Sequence, residues 1–273
     1  MKRKQATAQK EITNPLHGKF EEMVDAVLGG GANPDAAPPK AKPTVEAWAI
    51  PLKNIYNNED IRLDATHYDR QVVAALAELK RSKYPLKPLT EFADVRLPGQ
   101  FVRIWADSIE YGVPYVNASD LMSLAALGTL GEKTRYLSRV ADVDINALII
   151  HAGWLGLTCS GTIGRVFYIP DRFDGWVATH DLIRVIPKDE NTVGFLHSYL
   201  SSPLAQAQIT GCTYGGQIDH VTDEQIGSIL VPVMPPAKVE KIHDKTMIAL
   251  QAREKAIQSI LEVADELRTF LKP

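Results

Sequence analysis

Residues 234–273 read MPPAKVEKIHDKTMIALQAREKAIQSILEVADELRTFLKP, a double proline followed by a long segment that has no glycine and no further proline before the last residue. Apolar residues recur in it at spacings of three and four, which predicts one amphipathic helix about 50 Å long. A second apolar line lies beside the first, so the stripe is wider than a two-stranded coiled coil needs. The first line consists of Val239, Ile242, Thr246, Ala249, Arg253, Ala256, Ile260, Val263, Leu267 and Phe270, and the second of Leu250, Ile257, Ala264 and Leu271.

Two interpretations of this helix stay open from periodicity alone, because it can fold back on its own domain or pair with a helix of another molecule. The preceding chain contains only one globular unit, which favours the second interpretation. Arg253 lies in the middle of the stripe and would then need an acidic residue of the other copy, such as Glu254 or Glu262.

Composition limits the class of protein. The chain has 273 residues, 45% of them hydrophobic, enough for the core of one large domain. Its formal net charge of −3 argues against a uniformly basic nucleic-acid coat, although a local basic surface remains compatible. The two cysteines have no metal-ligand or disulfide spacing, and no apolar run reaches about 18 residues. We therefore expect a cytoplasmic protein with no membrane partner.

Segments rich in glycine and proline divide the chain into three parts. Residues 1–45 include GGGANPDAAPPKAKP and are expected to form a flexible tail and linker. Residues 46–235 form the predicted globular domain, and residues 236–273 form the terminal helix. Within the domain, short apolar or alternating runs broken by turn residues predict a largely β structure. The predicted fold class is thus α+β, a largely β domain followed by one long coiled-coil-like helix.

Local signals also place three shorter helices. Asp64 or Thr66 is expected to cap a helix that carries Val72 and Leu79 and stops near Tyr84-Pro85. A second helix is expected to begin at Thr192 and end at Ser202-Pro203, followed by a shorter one that ends at Gly211. The segment ALIIHAGW at 147–154 is expected to be a strand.

Catalysis is the first function to test. The segment CSGTIG contains Cys159 and Ser160, with His151 and His180 nearby in sequence, but it is not G-x-S-x-G, and a turn between strands explains the same residues. A hydrolase would need the side chain of Cys159 or Ser160 to be hydrogen-bonded to an imidazole. No phosphate loop, dinucleotide fingerprint or H-E-x-x-H motif occurs, so we expect a non-catalytic protein with no cofactor and no metal site.

Nucleic-acid binding is the second function to test. Four turn-rich segments carry cationic and polar side chains, namely 96–103, 133–139, 160–165 and 211–220. Glycine turns let backbone amides approach phosphates, while Arg and Gln suit bidentate contacts with base edges. Any one segment taken alone is better explained as an ordinary hairpin turn, but four on one unit shift the balance towards DNA binding. The candidate residues are Gln100, Arg103, Thr134, Arg135, Ser160, Thr162, Arg165, Tyr214, Gly216 and Gln217.

A family resemblance rests on an ordered set of segments. These are GVPYVNASDL, ALIIHAGW, SGTIGRVFYIP, THDLIRVIP, FLHSYLSSPLAQAQI, TYGGQIDHVTDEQI and ILVPVMPPAKVEKI. In this order, over about residues 60–273, they resemble one target-recognition domain with its spacer helix from the specificity subunit of a type I restriction-modification system. The resemblance implies a non-catalytic partner of double-stranded DNA, of the adenine methyltransferase subunit and of the restriction subunit. It also implies that 160–165 and 214–217 are DNA-facing loops and 234–236 a hinge.

Two departures from the family pattern matter. Typical specificity subunits have two recognition domains and two spacer helices, whereas this chain has one of each, and AKVEKI stands where a Glu-Gln pair often follows the double proline. The first departure implies an antiparallel homodimer, or pairing with a separately encoded second half. The helix residues expected at that contact are Val239, Ile242, Ala249, Ala256, Ile260, Val263, Leu267 and Phe270. The alternative function is a scaffold or inhibitor that binds a methyltransferase-like partner without reading DNA.

Overall fold

A computed structural model describes residues 49–51, 63, 65–125, 134–214 and 219–271. Apart from Ala49, these residues belong to one unit, 50–273. The predicted tail at 1–45, the cap candidate Asp64 and the loop residues Gly216 and Gln217 lie outside the described residues.

Eleven short strands within the described ranges form three sheets. The two-stranded sheet pairs β1 with β11, the four-stranded sheet has the order β2-β10-β7-β8, and the five-stranded sheet has the order β3-β5-β4-β9-β6. All pairs are antiparallel except β4 with β9. The strands are β1 Leu86–Pro88, β2 Ala93–Arg96, β3 Trp105–Ala106, β4 Gly112–Val116, β5 Arg135–Ser138, β6 Ile149–Ile150, β7 Leu155–Thr158, β8 Val166–Tyr168, β9 Trp176–Ala178, β10 Leu182–Pro187 and β11 Leu230–Pro232.

Helices surround these sheets and extend the chain at its end. The α-helices are α1 Arg70–Lys80, α2 Ala118–Ala125, α3 Ile145–Leu148, α4 Val193–Leu200, α5 Pro203–Cys212, α6 Asp223–Gly227 and α7 Pro236–Phe270. Single 3-10 turns occur at Ala65–Tyr68, Leu89–Glu91, Asp171–Phe173 and Glu190–Thr192. The predicted class, a largely β α+β domain followed by one long helix, is confirmed.

Side-chain caps mark the starts of α1 and α3 but not of α4 or α7, and two local predictions, one of a cap and one of a strand, were wrong. The cap of α1 is Asp69, whose carboxylate accepts the Gln71 N–H at 2.7 Å, whereas Thr66 lies in the preceding 3-10 turn. The segment 147–154 is not one strand, because Asp144 caps the short helix α3 and only Ile149–Ile150 remains extended as β6. The apolar run at 147–154 predicted a strand, but the Asp144 cap, three residues before this run, makes its first two residues helical.

The main core lies between the four-stranded sheet and the helices α4 and α5. Leu157 and Ile183 of the sheet are fully buried, as is Leu196 of α4. A second core joins Phe167 and Leu182 of the four-stranded sheet to Val116 and Ile150 of the five-stranded sheet, and Ile257 of α7 belongs to it. Hydrophobic burial of this extent is the dominant stabilising term of such a domain.

One face of α7 packs on its own domain. Leu250 and Ile257 are buried, and Val239 and Ile242 pack against the main core. Close approach to α4 depends on Gly194, since a Cβ there would lie 2.5 Å from the His243 carbonyl oxygen. The fold-back interpretation therefore describes this face, and Val239 and Ile242 are covered by the chain itself.

Arg253 also lies against its own domain. It lines a small cavity with Arg172 and Glu254, and the Arg172 Nε lies 2.8 Å from the Glu254 carboxylate. The expectation that Glu254 serves Arg253 from a second copy is thus corrected, because Glu254 pairs within its own chain.

From Ala249 onward the first apolar line of α7 is exposed, apart from Arg253. Its residues lie about 100° round the helix from Leu250 and Ile257, and Ile260, Val263, Leu267 and Phe270 are 38%, 55%, 54% and 78% exposed. Ala249 and Ala256 are exposed on the same line. In the described ranges no helix is both long and apolar enough to cross a membrane.

Candidate nucleic-acid interface

The turn at 159–165 joins β7 to β8 and is the predicted glycine-rich hairpin turn. Gly161 and Gly164 have φ values of 65° and 82°, which residues with a side chain rarely adopt. The Gln206 side chain of α5 donates to the Gly164 carbonyl at 2.8 Å and anchors the turn. Thr162 and Arg165 are exposed on it, and Ser160 is half-buried. The turn is therefore rigid at its base and polar at its surface.

Asp181 connects this turn to both large sheets. It lies in the connection 179–181, which runs from β9 in the five-stranded sheet to β10 in the four-stranded sheet. Its carboxylate accepts hydrogen bonds from the hydroxyls of Ser160 at 2.9 Å and Thr179 at 3.1 Å. The Cys159 N–H donates to the Asp181 carbonyl at 3.1 Å. The hairpin turn and the β9–β10 connection are thus one polar unit.

Arg103 reaches the same unit from the segment between β2 and β3. Its Nε donates to the Tyr115 hydroxyl at 2.8 Å and its Nη2 to the Thr179 hydroxyl at 3.2 Å. The Nη2 also lies 3.9 Å from the Asp181 carboxylate, and the side chain remains 35% exposed. The two partners come together because β4 and β9 run in parallel, with Tyr115 opposite Val177.

Arg135, at the start of β5, extends the group. Its guanidinium lies 5.0 Å from the Trp105 ring centroid and 5.9 Å from that of Tyr115, distances typical of cation–π contacts. Its Nη2 also lies 4.0 Å from the Asp120 carboxylate. Since Arg103 and Arg135 share Tyr115, two of the predicted segments meet at one aromatic ring. Thr134 and Gln100, predicted from the same two segments, are exposed beside them in sequence.

The fourth predicted segment joins through backbone pairing. Tyr214 and Ser160 each form an isolated antiparallel bridge with His220. Tyr214 is 48% exposed, and its ring lies 6.2 Å from that of His220. This arrangement brings the described part of the 211–220 segment beside the hairpin turn.

Sequence reasoning missed the groups that join these segments. Tyr115, Thr179, Asp181 and His220 were not selected as site residues, although Thr179 and Asp181 stand in the THD run that follows an apolar strand. That run was a detectable signal. Its contacts with residues 21 to 76 positions away follow only from the strand order.

Arg184 lies beneath the surface and stabilises the β9–β10 connection. It is buried, and its guanidinium donates to the carbonyls of Leu148, Ala178, Thr179 and Leu182. Burial lowers its pKa to about 10, so it stays charged at neutral pH. One buried cation thus holds both sides of the β9–β10 connection.

The same region does not supply a nucleophile. The Cys159 Sγ contacts the His180 carbonyl at 3.9 Å, and the Ser160 hydroxyl binds a carboxylate rather than an imidazole. Burial, with the Asp181 charge, raises the pKa of the Cys159 thiol to about 11. Over the residues that the structure describes, no group of three or more His, Cys, Asp and Glu is placed to hold a metal ion. The requirement for a hydrolase is not met.

Comparisons with known proteins give the family. The model of the type I restriction modification DNA specificity domain matches residues 86–264, which span the described sheets and most of α7. No curated protein matches the chain.

The solved structures that match the chain are distant in sequence. The type I restriction-modification S subunit of M. genitalium is 12% identical, with a TM-score of 0.43 over 69% of this chain and 44% of that one. The HsdS subunit of Thermoanaerobacter tengcongensis is 15% identical, with a TM-score of 0.44 over 68% and 44%. A chain from a structure on complex assembly and conformational transition of the type I R-M system is 12% identical, with a TM-score of 0.44 over 93% and 55%.

This chain therefore spans about half or less of the length of these similar chains. The family is that of a specificity subunit, which is not itself catalytic. On the match to residues 86–264, the chain belongs to the type I restriction modification DNA specificity domain family.

Proposed function

We propose that this chain reads one half of a bipartite DNA site for a type I restriction-modification complex. The reading surface is the recognition cluster, defined as Arg103, Arg135, Ser160, Asp181 and Tyr214. The observation that carries the proposal is that these residues come from separate segments of the chain and lie together: Ser160 and Arg103 contact Asp181 directly. Arg135 joins Arg103 through the shared Tyr115 ring, and Tyr214 joins Ser160 through their bridges to His220. Each segment alone is an ordinary turn, but their convergence is what a recognition surface requires.

The chemistry of the recognition cluster suits duplex DNA. Exposed arginines can donate two parallel hydrogen bonds to guanine. Thr162 and the backbone of the glycine turn can donate to phosphates, which fixes register without reading sequence. Because the formal net charge of the chain is −3, DNA binding would depend on this local surface and not on a basic charge of the whole chain.

Partners follow from the family and from α7. We propose that the chain holds an adenine methyltransferase subunit, and through it a restriction subunit, on the DNA. The exposed line from Ala249 to Phe270 is proposed to pair antiparallel with a second copy or with a separately encoded half. One recognition domain at each end of the pair would then contact one half-site.

Methylome sequencing tests this function. The chain is expressed with its adenine methyltransferase subunit in a host that lacks other adenine methylation, and a bipartite methylated adenine motif is expected. The double variant Arg103→Ala with Arg135→Ala should abolish methylation or relax the motif, in both halves where two copies of this chain pair. Arg268→Ala, which removes an arginine paired with Asp265 on α7, is the control and should leave the motif unchanged.

The scaffold alternative makes the opposite prediction. A chain that only binds a methyltransferase-like partner would yield no sequence motif of its own. A methylation pattern that stays the same with and without the chain would reject DNA reading.

A further inference from the structure

A carboxylate lies at the centre of the recognition cluster, on a surface proposed to meet polyanionic DNA. The Asp181 side chain is 39% exposed and within hydrogen-bond distance of two hydroxyls, those of Ser160 and Thr179. The His180 Nε2 lies 3.6 Å from the same carboxylate. An exposed carboxylate at this place repels DNA phosphates and so weakens DNA binding. Its presence is explained only if the carboxylate has another effect that offsets this loss.

Arg103 supplies the reason. The Tyr115 hydroxyl and the Thr179 hydroxyl accept from its guanidinium, and the Asp181 carboxylate lies 3.9 Å away. Thr179 donates to Asp181 while it accepts from Arg103, so the carboxylate also acts on Arg103 through this hydroxyl. An unrestrained arginine would swing to the nearest phosphate, which carries no sequence information.

We propose that Asp181 is a positioning residue for sequence discrimination: it holds Arg103 and Ser160 in place and keeps Arg103 off the DNA backbone. Asp181 offsets part of the charge of Arg103, so a phosphate gains little from that arginine. A base edge that presents two acceptors in the right geometry still binds it. This inference rests on the proposed DNA-reading function.

Two effects in opposite directions follow from this role. Loss of the Asp181 charge removes a repulsion and frees Arg103, so affinity for duplex of any sequence rises. The preference for the chosen sequence falls, since Arg103 is no longer held for base contact. A residue that only stabilised the fold would lower both affinity and preference when replaced.

The experiment compares the full chain with Asp181→Asn and Asp174→Asn. Asp174 is the matched control, because it is a carboxylate at the other end of β9 that accepts the Ala152 N–H at 3.0 Å and pairs with His151 at 3.1 Å. Each protein is titrated with a random-sequence duplex pool between about 50 and 200 mM salt. Each is also used to select bound sequences from that pool.

We expect Asp181→Asn to bind the pool several-fold more tightly, with a salt slope steeper by about one phosphate contact. Enrichment of the selected sequence should fall about tenfold, a difference of about 1.4 kcal/mol. Asp181→Ser, which also removes the charge, should behave in the same way, while Asp181→Glu should restore part of the preference. Asp174→Asn should match the unmodified chain.

The outcomes separate the two proposals. If the unmodified chain selects a sequence while both neutral variants leave pool affinity and enrichment unchanged, or lower both, the role of Asp181 is overturned and DNA reading stands. If the unmodified chain binds the pool without selecting any sequence, the proposed function fails, and the role of Asp181 fails with it.

Discussion

Charged residues have separate tasks in this domain according to their depth. Arg184 is 2% exposed and binds backbone carbonyls, whereas Arg103 and Arg135 are exposed and rest on aromatic rings and hydroxyls. A buried guanidinium is a structural group, since its donors are all directed inward. An exposed one held in place by neighbours is prepared for an external acceptor.

Arg135→Ala is expected to weaken binding to the preferred site by ~1–3 kcal/mol, because a bidentate base contact is worth about that amount. Affinity for a scrambled duplex should change much less. Titration of both duplexes measures the difference, with Arg268→Ala as the control. An equal loss on both duplexes would assign Arg135 to phosphate contacts instead. The same comparison applies to Gln217→Ala.

Arg184→Leu is expected to lower the free energy of unfolding by about 3 kcal/mol or more, because buried carbonyls lose their charged donor. Urea denaturation measures the change. The control is Arg96→Leu, since Arg96 is opposite Arg184 in the β2–β10 pair but exposed, with a contact to Asp94 at 3.4 Å. Arg96→Leu should change stability by no more than about 0.5 kcal/mol. Similar effects of the two variants would contradict the structural role of Arg184.

His197 should make stability depend on pH. Its pKa is lowered to about 4 by burial and by the nearby Arg253, whereas the unfolded chain has a histidine pKa of about 6.5. The unfolded state therefore binds more protons between these values, so stability is full above pH ~6.5 and falls as the pH drops towards 4.

By pH 5 the loss from His197 is expected to be at most about 2 kcal/mol. Thermal unfolding of the full chain at pH 7 and pH 5 measures it. His197→Gln has no titrating group at this position and should show a smaller pH effect. An unchanged pH dependence in His197→Gln would exclude the assignment.

At the scale of elements, α7 has two apolar faces with different fates. Leu250 and Ile257 are buried against the domain, and α4 approaches closely at Gly194. Ile260 and Leu267 lie on the second face and are exposed. Deletion of 237–273 would therefore uncover the core as well as any partner contact, and substitutions on the exposed face separate the two effects.

Val263→Glu combined with Leu267→Glu is expected to abolish self-association while the domain stays folded, because charges on this face oppose helix pairing. Analytical ultracentrifugation measures the oligomeric state, and circular dichroism checks the fold. Gln251→Glu is the matched control, since Gln251 is exposed but lies about 120° round the helix from Val263 and about 160° from Leu267. A double variant that remains dimeric would place the contact elsewhere.

At the scale of the whole molecule, two large sheets meet at the β9–β10 connection, and one long helix follows the domain. The recognition cluster forms where the connections of both sheets come together, which gives one proposed reading surface per chain within the described residues. The proposed pair of chains would thus carry two identical surfaces, related by the symmetry of the helix pair.

A palindromic bipartite motif is therefore expected when this chain is the sole source of specificity. Methylome sequencing with only this chain and its methyltransferase subunit measures the symmetry. Co-expression with a chain carrying a different recognition domain is the control, and it should yield an asymmetric motif. An asymmetric motif from this chain alone would rule out the homodimer.

Local sequence signals determined much of this architecture. The long helix, the glycine turn at 160–165 and the helix that starts after Thr192 all follow from periodicity, turn residues and breakers within a few positions of each other. The ordered segments also identified the family, because their local sequences and their order along the chain match the pattern of that family.

Only the tertiary structure decided which groups meet. Asp181 joins Ser160 and Arg103 because β9 and β10 belong to different sheets, and Arg184 is buried because both sheets close over it. Likewise, periodicity marks both apolar faces of α7, but packing on α4 determines which face is covered. The physical reason is that these contacts join residues distant in the chain, so strand order and packing create them, and no local pattern encodes either.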